Sequence, residues 1–285
     1  MTSRITVVVM TRDRWPDLQT SLARHEAPVI LVDNGSSDGT PRLVREHFPH
    51  VEVVELSRNV GSVARNVGVE RARTPYVAFA DDDSWWAAGA LTQAVHVLDT
   101  HPRLAVLAGR MLVGPEERPD PLCELMADSP LGRDDDLPGP SVLGFLACGA
   151  VVRRDAYLAG GGFDEVVFFM GEEERLALDL AAVGWGLAYV QDVVAHHHPS
   201  PVRDSVERQA RAARNRLLTM LMRRPWPVVL GALLEDLRAG RAGRLAVRQT
   251  LVRVPAALRR RRRLPVHVEA ARRLLDSPPQ AARRP

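Results

Sequence analysis

The sequence predicts an α/β chain: a doubly wound, Rossmann-like three-layer domain over residues 1–200, then a basic α-helical extension over residues 201–285. Three observations predict it. β-branched runs alternate with helical periods in the N-terminal part, polar turn-forming residues fall where those runs end, and the charge changes sign near residue 200. Residues 1–200 carry 17 Arg against 29 acidic side chains, a net of −12, whereas residues 201–285 carry 21 Arg against 6, a net of +15. The two add to the overall +3 of a 285-residue chain without lysine.

Ile5-Thr6-Val7-Val8-Val9-Met10 is an unbroken β-branched run, the mark of a strand buried on both faces of a parallel sheet. Residues 15–25 fit a helix, and Val29–Val32 repeats the strand pattern. Residues 40–47 fit a second helix, Val51–Leu56 a third strand and Gly61–Arg73 a third helix. Tyr76-Val77-Ala78-Phe79-Ala80 is the next strand, and it ends on Asp81-Asp82-Asp83. A helix over 88–99 and a strand over 104–109 follow. Residues 114–140, rich in Pro, Gly and acids, read as a long lid-like loop. Order resumes over Gly144–Val152, with a helix over 172–183 and a strand over Gly186–Val190. Beyond Pro201 the amphipathic period is helical through Arg203–Arg223, Val228–Ala239 and Leu245–Arg262.

Composition narrows the function classes. Cys123 and Cys148 form neither a disulfide framework nor a zinc motif and fit a reducing cytosol. The N-terminus lacks a secretory h-region, and no apolar stretch reaches the roughly eighteen residues of a transmembrane helix. The expected location is cytoplasmic.

The acidic triplet Asp81–Asp83 is the strongest site signal. A strand that delivers adjacent carboxylates to its C-terminal edge puts hard oxygen ligands where open α/β sheets bind ligands, and Mn²⁺ or Mg²⁺ suits them. The alternative is an acidic turn. Asp134-Asp135-Asp136 is the internal control, since it follows no strand and reads as a solvated loop. Asp33, at the end of the second strand, can accept from a nucleobase N–H or close an Asx-turn. Arg65, one turn into the third helix, can hold a diphosphate or form a surface ion pair, with Gly68 a packing contact. Trp85 and Trp86 can stack on an acceptor sugar or pack in the core.

Four blocks in order carry a family resemblance: Val8–Arg14, Val32–Thr40, Asn59-Val60-Gly61 with Arg65-Asn66-Val67-Gly68, and Phe79–Asp83. A fifth, Gly161–Glu165 with Gly171-Glu172-Glu173-Glu174, resembles an acceptor-side motif. Over about the first 200 residues the chain resembles the family-2 glycosyltransferases of the GT-A fold. That resemblance implies an inverting transferase that moves a sugar from a nucleotide-sugar donor to an acceptor hydroxyl, as in cell-wall or polysaccharide synthesis. It implies that Thr11, Asp33, Arg65, Asp81 and Asp82 contact the donor, with Asp33 on the base and Asp81 on ribose or sugar. Asp83 would bind the divalent cation, and a histidine of His196-His197-His198, first His196, would complete its shell. Glu173 would be the general base, with Glu172 or Glu174 in reserve, although the family has Asp in this pair. Read without the resemblance, these acids are helix N-terminal residues favoured by the macrodipole, and the histidines a solvated surface triplet.

The basic extension, including Arg259–Arg263, permits peripheral contact with an anionic membrane, nucleic acid, or a solvated helix. Nucleic acid is disfavoured, because no aromatic residues interleave with the Arg run. Two rival functions remain. A sugar-1-phosphate nucleotidyltransferase needs a Gly-rich loop after the first strand, and Thr11–Pro16 has no glycine. A non-catalytic sugar-nucleotide or membrane-surface module would tolerate the altered Glu pair.

Overall fold

In the computed structural model, which describes residues 3–199 and 205–276, the early apolar runs become one parallel block. Its elements are β1 (Ile5–Thr11), α1 (Trp15–Leu22), β2 (Val29–Asp33), α2 (Thr40–His47), β3 (Glu52–Glu55), α3 (Val63–Arg71) and β4 (Tyr76–Asp81). The strands lie in the order β3, β2, β1, β4, all parallel. Helices cover both faces, so Val7, Val8, Val9, Leu31, Val32, Val77 and Ala78 are fully buried. Register then places the chemistry. Thr11 pairs with Asp33 and Met10 with Asp81, which brings Thr11, Asp33 and Asp81 to one C-terminal sheet edge.

The chain continues through β5 (Ser84–Trp86), α4 (Ala90–Thr100), β6 (Leu104–Val113), β7 (Arg118–Pro119) and α5 (Pro121–Ala127). A 3₁₀ turn at Ala147–Gly149 leads into β8 (Ala150–Arg153), α6 (Arg154–Ala159), α7 (Glu172–Ala182) and β9 (Gly186–His197). β8 runs antiparallel between β4 and β6, β9 is parallel to β6, and β5 is antiparallel on the edge of β9. The sheet is therefore mixed. Both β6 and β9 outrun their expected ends, because they continue to pair past a register shift at Gly109/Arg110 although polar residues interrupt the apolar pattern. The 114–140 segment is no bare loop, since it holds β7 and α5, whose N-cap Asp120 accepts from the Leu122 N–H at 2.9 Å. Asp134 and Asp136 are exposed, as the solvated reading holds, and both pair with Arg103.

Helix α3 starts at Val63 rather than Gly61. Gly61 adopts φ +67°, and a Cβ there would lie 2.3 Å from the Phe168 carbonyl oxygen, which accepts the Ser62 N–H at 2.6 Å.

The extension forms α8 (Val206–Arg223), α9 (Trp226–Arg238), α10 (Gly240–Arg259) and a helix the periodicity did not announce, α11 (Val266–Asp276). The expected division at residue 200 and the helix start at Arg203 fall outside the described residues. These helices share a core with the segment before α7: Val166 and Val167 pack with Leu217, Leu221, Met222, Val229 and Val247. Val268 of α11 joins Leu143 and Leu178. No helix among the described residues is long and apolar enough to cross a membrane.

Gly68 sits where α3 crosses the sheet, as the packing alternative holds. A Cβ there would fall 2.4 Å from Val8 Cγ1 and 3.2 Å from Val32 Cγ2, both on fully buried side chains. Gly68→Ala should destabilise the protein by about 1–3 kcal/mol through overpacking, against a helix-propensity gain of at most about 1 kcal/mol. The urea unfolding midpoint measures this, and an unchanged or raised midpoint would contradict the contact.

Candidate active site

The site lies where β1, β2 and β4 end and α7 begins. At its centre is Arg65, a fully buried guanidinium. It is hydrogen-bonded to an Asp81 carboxylate oxygen, and its Nη1 lies 3.5 Å from Glu172 Oε1. Burial works against the charge of Arg65, and the carboxylates of Asp81, Glu172 and Glu173 outweigh it and keep the cation charged. The sequence leads one to expect a diphosphate cradle at the start of α3. Arg65 is turned inward to two carboxylates, and the Ser62 N–H is already taken by Phe168.

Donor-edge residues are tied to one another. Asp33 is buried, and both its oxygens accept from Ser36, through the backbone N–H at 2.9 Å and through the hydroxyl. This is the Asx-turn; a carboxylate still has lone pairs for a further donor. Asn34 locks the neighbouring loop, accepting from Val60 N–H at 2.8 Å and donating to Gly61 O at 3.0 Å. Thr11 donates its hydroxyl to Asp82 at 3.1 Å, and Arg14 lies 3.5 Å from both Asp82 and Asp83. Burial first, and then the flanking Asp81 and Asp83, push the Asp82 carboxyl up to about 7. Neither Asn34 nor Arg14 stood out in the sequence; both lie within the resemblance blocks, and only the fold shows what they touch.

Strand register separates the three histidines. His197, not His196, faces the acidic triplet, with Nε2 3.3 Å from Asp83 Oδ1. Strand pairing decides this. β5 sets Trp85 opposite His196 and Ser84 opposite His197. His196 accordingly stacks on Trp85, centroids 5.4 Å apart, and its Nδ1 lies 2.8 Å from Glu117. Burial disfavours the charged form of His197, but Asp83 overcomes it and raises the imidazole above its ordinary value. Both tryptophans pack within the protein: Trp85 between His196 and the Arg24 guanidinium, and Trp86 with its indole N–H donating to Phe79 O at 3.2 Å.

Asp83 and His197, a carboxylate beside an imidazole, are a donor pair that would suit a divalent ion such as Mn²⁺. Among the described residues no cluster of three or more such ligands is gathered.

At the start of α7 the three acids part company. Glu172 is buried toward Arg65, and Glu174 binds Arg272 of α11 at 2.7 Å. Glu173 is half-buried, and its closest hydrogen bond is from the Ala147 N–H at 3.4 Å. Burial raises the carboxyls of Glu172 and Glu173 above their ordinary value, and in Glu172 the neighbouring Glu173 adds to it. The Ala147–Gly149 turn beside Glu173 packs against β4, and the buried Cys148 thiol feels the charges of Asp81, Asp83 and Glu173 together. Donor-edge acids and α7 acids therefore converge on one region.

Comparison with known proteins defines the class. The family model described as "Glycosyl transferase family 2" matches residues 6–160, more than half the chain. The chain belongs to that family and is a glycosyltransferase. It is similar to the N-acetylglucosaminyl-diphospho-decaprenol L-rhamnosyltransferase of Mycobacterium tuberculosis, 27% identical over 237 residues that cover 70% of this chain and 77% of that one. It is 32% identical over 218 residues to the pre-mycofactocin glycosyltransferase of the same organism, covering 72% of this chain and 45% of that protein. Its fold matches the mannosyltransferase PcManGT from Pyrobaculum calidifontis, solved with GDP-Man and Mn²⁺, at TM-score 0.61, 21% identity and coverage of 96% and 88%. The GT-A fold expected from the sequence is thereby established.

Arg65→Met leaves Glu172 buried without its cation and should cost about 3–5 kcal/mol at about pH 9.5, above the value of about 8 to which burial pushes the Glu172 carboxyl in the wild type. The loss should shrink toward about pH 5.5, because without the guanidinium the carboxyl rises further, so on acidification the folded variant takes up its proton before the wild-type protein and the unfolded chain do. Urea melts of both proteins across that range test it, and a pH-independent gap would contradict the assignment.

Proposed function

We propose that the enzyme is a metal-dependent, inverting transferase that passes a sugar from a nucleoside-diphosphate sugar to an acceptor hydroxyl on a lipid-carried glycan. The M. tuberculosis relative, by its name a rhamnosyltransferase acting on a polyprenyl-diphosphate sugar, supports that acceptor class. The observation that carries the reaction type is the division of labour in α7. Arg65 and Arg272 engage Glu172 and Glu174, which leaves the Glu173 carboxylate free to accept a proton.

Glu173 takes the acceptor hydroxyl proton as the oxygen bonds to the anomeric carbon, while the bond from that carbon to the diphosphate oxygen breaks on the opposite side. A single displacement inverts the configuration. Its raised pKa makes Glu173 a better base than an ordinary carboxylate. A divalent ion held by Asp83 and His197 would neutralise charge on the departing diphosphate. Asp33 faces the base, Asp81 the ribose or sugar, and Asp82, fixed by Thr11 and Arg14, sets the turn that presents Asp83.

Glu173→Gln should lower kcat by about 10²–10⁴-fold with donor affinity intact, and wild-type kcat should fall on acidification with an apparent pKa above the usual ~4.3 of glutamate, belonging to the Glu172–Glu173 pair. A Gln variant with near wild-type turnover would move the base elsewhere. Asp83→Ala and His197→Ala should each weaken Mn²⁺-dependent donor binding in calorimetry, and Asp83→Ala should cost about a hundred-fold or more in kcat. His196→Ala should leave Mn²⁺ affinity near wild type; the reverse order of the two histidine variants would restore His196 as the ligand.

A further inference from the structure

Several basic side chains of the extension are tied to acids of the chain. Arg223 pairs with Asp179, Arg224 with Glu269 and Asp276, Arg260 with Asp164 and Glu165, and Arg272 with Glu174. What remains outside is a different set. On α9, Trp226, Leu230, Leu234 and Leu237 are 41–55% exposed and spaced four, four and three residues apart, one continuous face, while Val229, Ala232 and Asp236 point into the protein. On the adjoining α10, Ala246, Val247, Thr250 and Ala257 face inward. Its outer face carries the exposed Leu251, Val252 and Leu258 in one half. The other half carries Arg241, Arg244 and Arg248, which line a cavity of about 430 Å³ with Val206, Glu207 and Leu245. Arg238, Arg259, Arg262 and Arg263 flank the two helices, also exposed. No ion pair engages these seven arginines among the described residues.

We propose that this α9–α10 face is a docking surface for an anionic lipid bilayer, with Trp226 and the leucines entering the headgroup boundary and the free guanidiniums on lipid phosphates. Charge complementarity selects that occupant. A second copy of the chain would set arginines against arginines, and nucleic acid would leave the leucine face in water. An apolar strip with cations beside it, on helices of 13 and 20 residues too polar to span, is the pattern of an interfacial helix. Tryptophan belongs at that boundary. The surface deepens the reading of a lipid-carried acceptor, since it would hold the site beside the substrate's membrane. Membrane binding is nevertheless measured without any sugar transfer.

The test is co-sedimentation of the full-length protein with large vesicles of phosphatidylcholine alone or with phosphatidylglycerol. Binding should require the anionic lipid and weaken with salt. Leu230→Glu/Leu234→Glu should lose at least about ten-fold in partitioning, and each of Arg244→Ala and Arg248→Ala on the order of five-fold. These side chains are exposed, so circular dichroism should confirm unchanged folding, and transfer to a water-soluble acceptor should persist. No sedimentation with anionic vesicles, or equal sedimentation of the variants, overturns the proposal. So does dimerisation in ultracentrifugation that Leu230→Glu/Leu234→Glu abolishes, which assigns the face to a second copy. Loss of sugar transfer with vesicle binding intact would instead count against the transferase reading.

Discussion

Everything at the candidate site is arranged around one buried cation. Arg65 leaves α3 and meets Asp81 at the end of β4 and Glu172 at the start of α7, so a single guanidinium spans the strand-end and α7 acids. Lysine would not serve, because a point charge on a flexible stem lacks the planar fork that addresses two carboxylates in fixed directions. The arrangement is also incompletely satisfied. Arg65 Nε and Nη1 and Glu172 Oε2 are buried without a hydrogen-bond partner. Such polarity is costly in a structural core.

The same economy governs the whole chain. A domain of net −12 and an extension of net +15 are complementary halves, and many charges of the second are used to hold it on the first. Arg223 and Arg272 reach Asp179 and Glu174 on α7, the helix that begins with Glu172 and Glu173. Part of the basic extension is therefore internal cement, while its outer face keeps exposed cations.

Local chemistry made much of this legible. Unbroken β-branched runs could be only buried strands, and carboxylates at their ends located the site edge. What the sequence hid depends on register between distant segments. The alternation of His196, His197 and His198 across a strand was readable, but which one meets Asp83 is set by pairing of β5 with β9, over a hundred residues apart. Arg65 likewise read as a diphosphate ligand or a surface ion pair one turn into a helix, and only the approach of α7 turns it into a buried bridge. Helix α11 was missed because its apolar side is short and meets the core chiefly through Val268.

The Glu at position 173, where the resemblance leads one to expect Asp, becomes intelligible through the segment that precedes it. Phe168 and Met170 both hold φ +74°, a costly conformation for residues with side chains. Asn215, fully buried on α8, keeps it in place by donating from its amide to the carbonyls of Phe169 at 2.5 Å and Met170 at 2.6 Å. Gly171, at φ +81°, then makes the turn into α7. A longer carboxylate needs its backbone held correspondingly still, because the added methylene brings another rotatable bond. In this chain the rigidity comes from the extension: α8 clamps the loop, Arg272 fixes Glu174, and Arg223 fixes Asp179 two turns on. The helices beyond residue 205 thus help hold the start of α7, where the proposed base Glu173 lies.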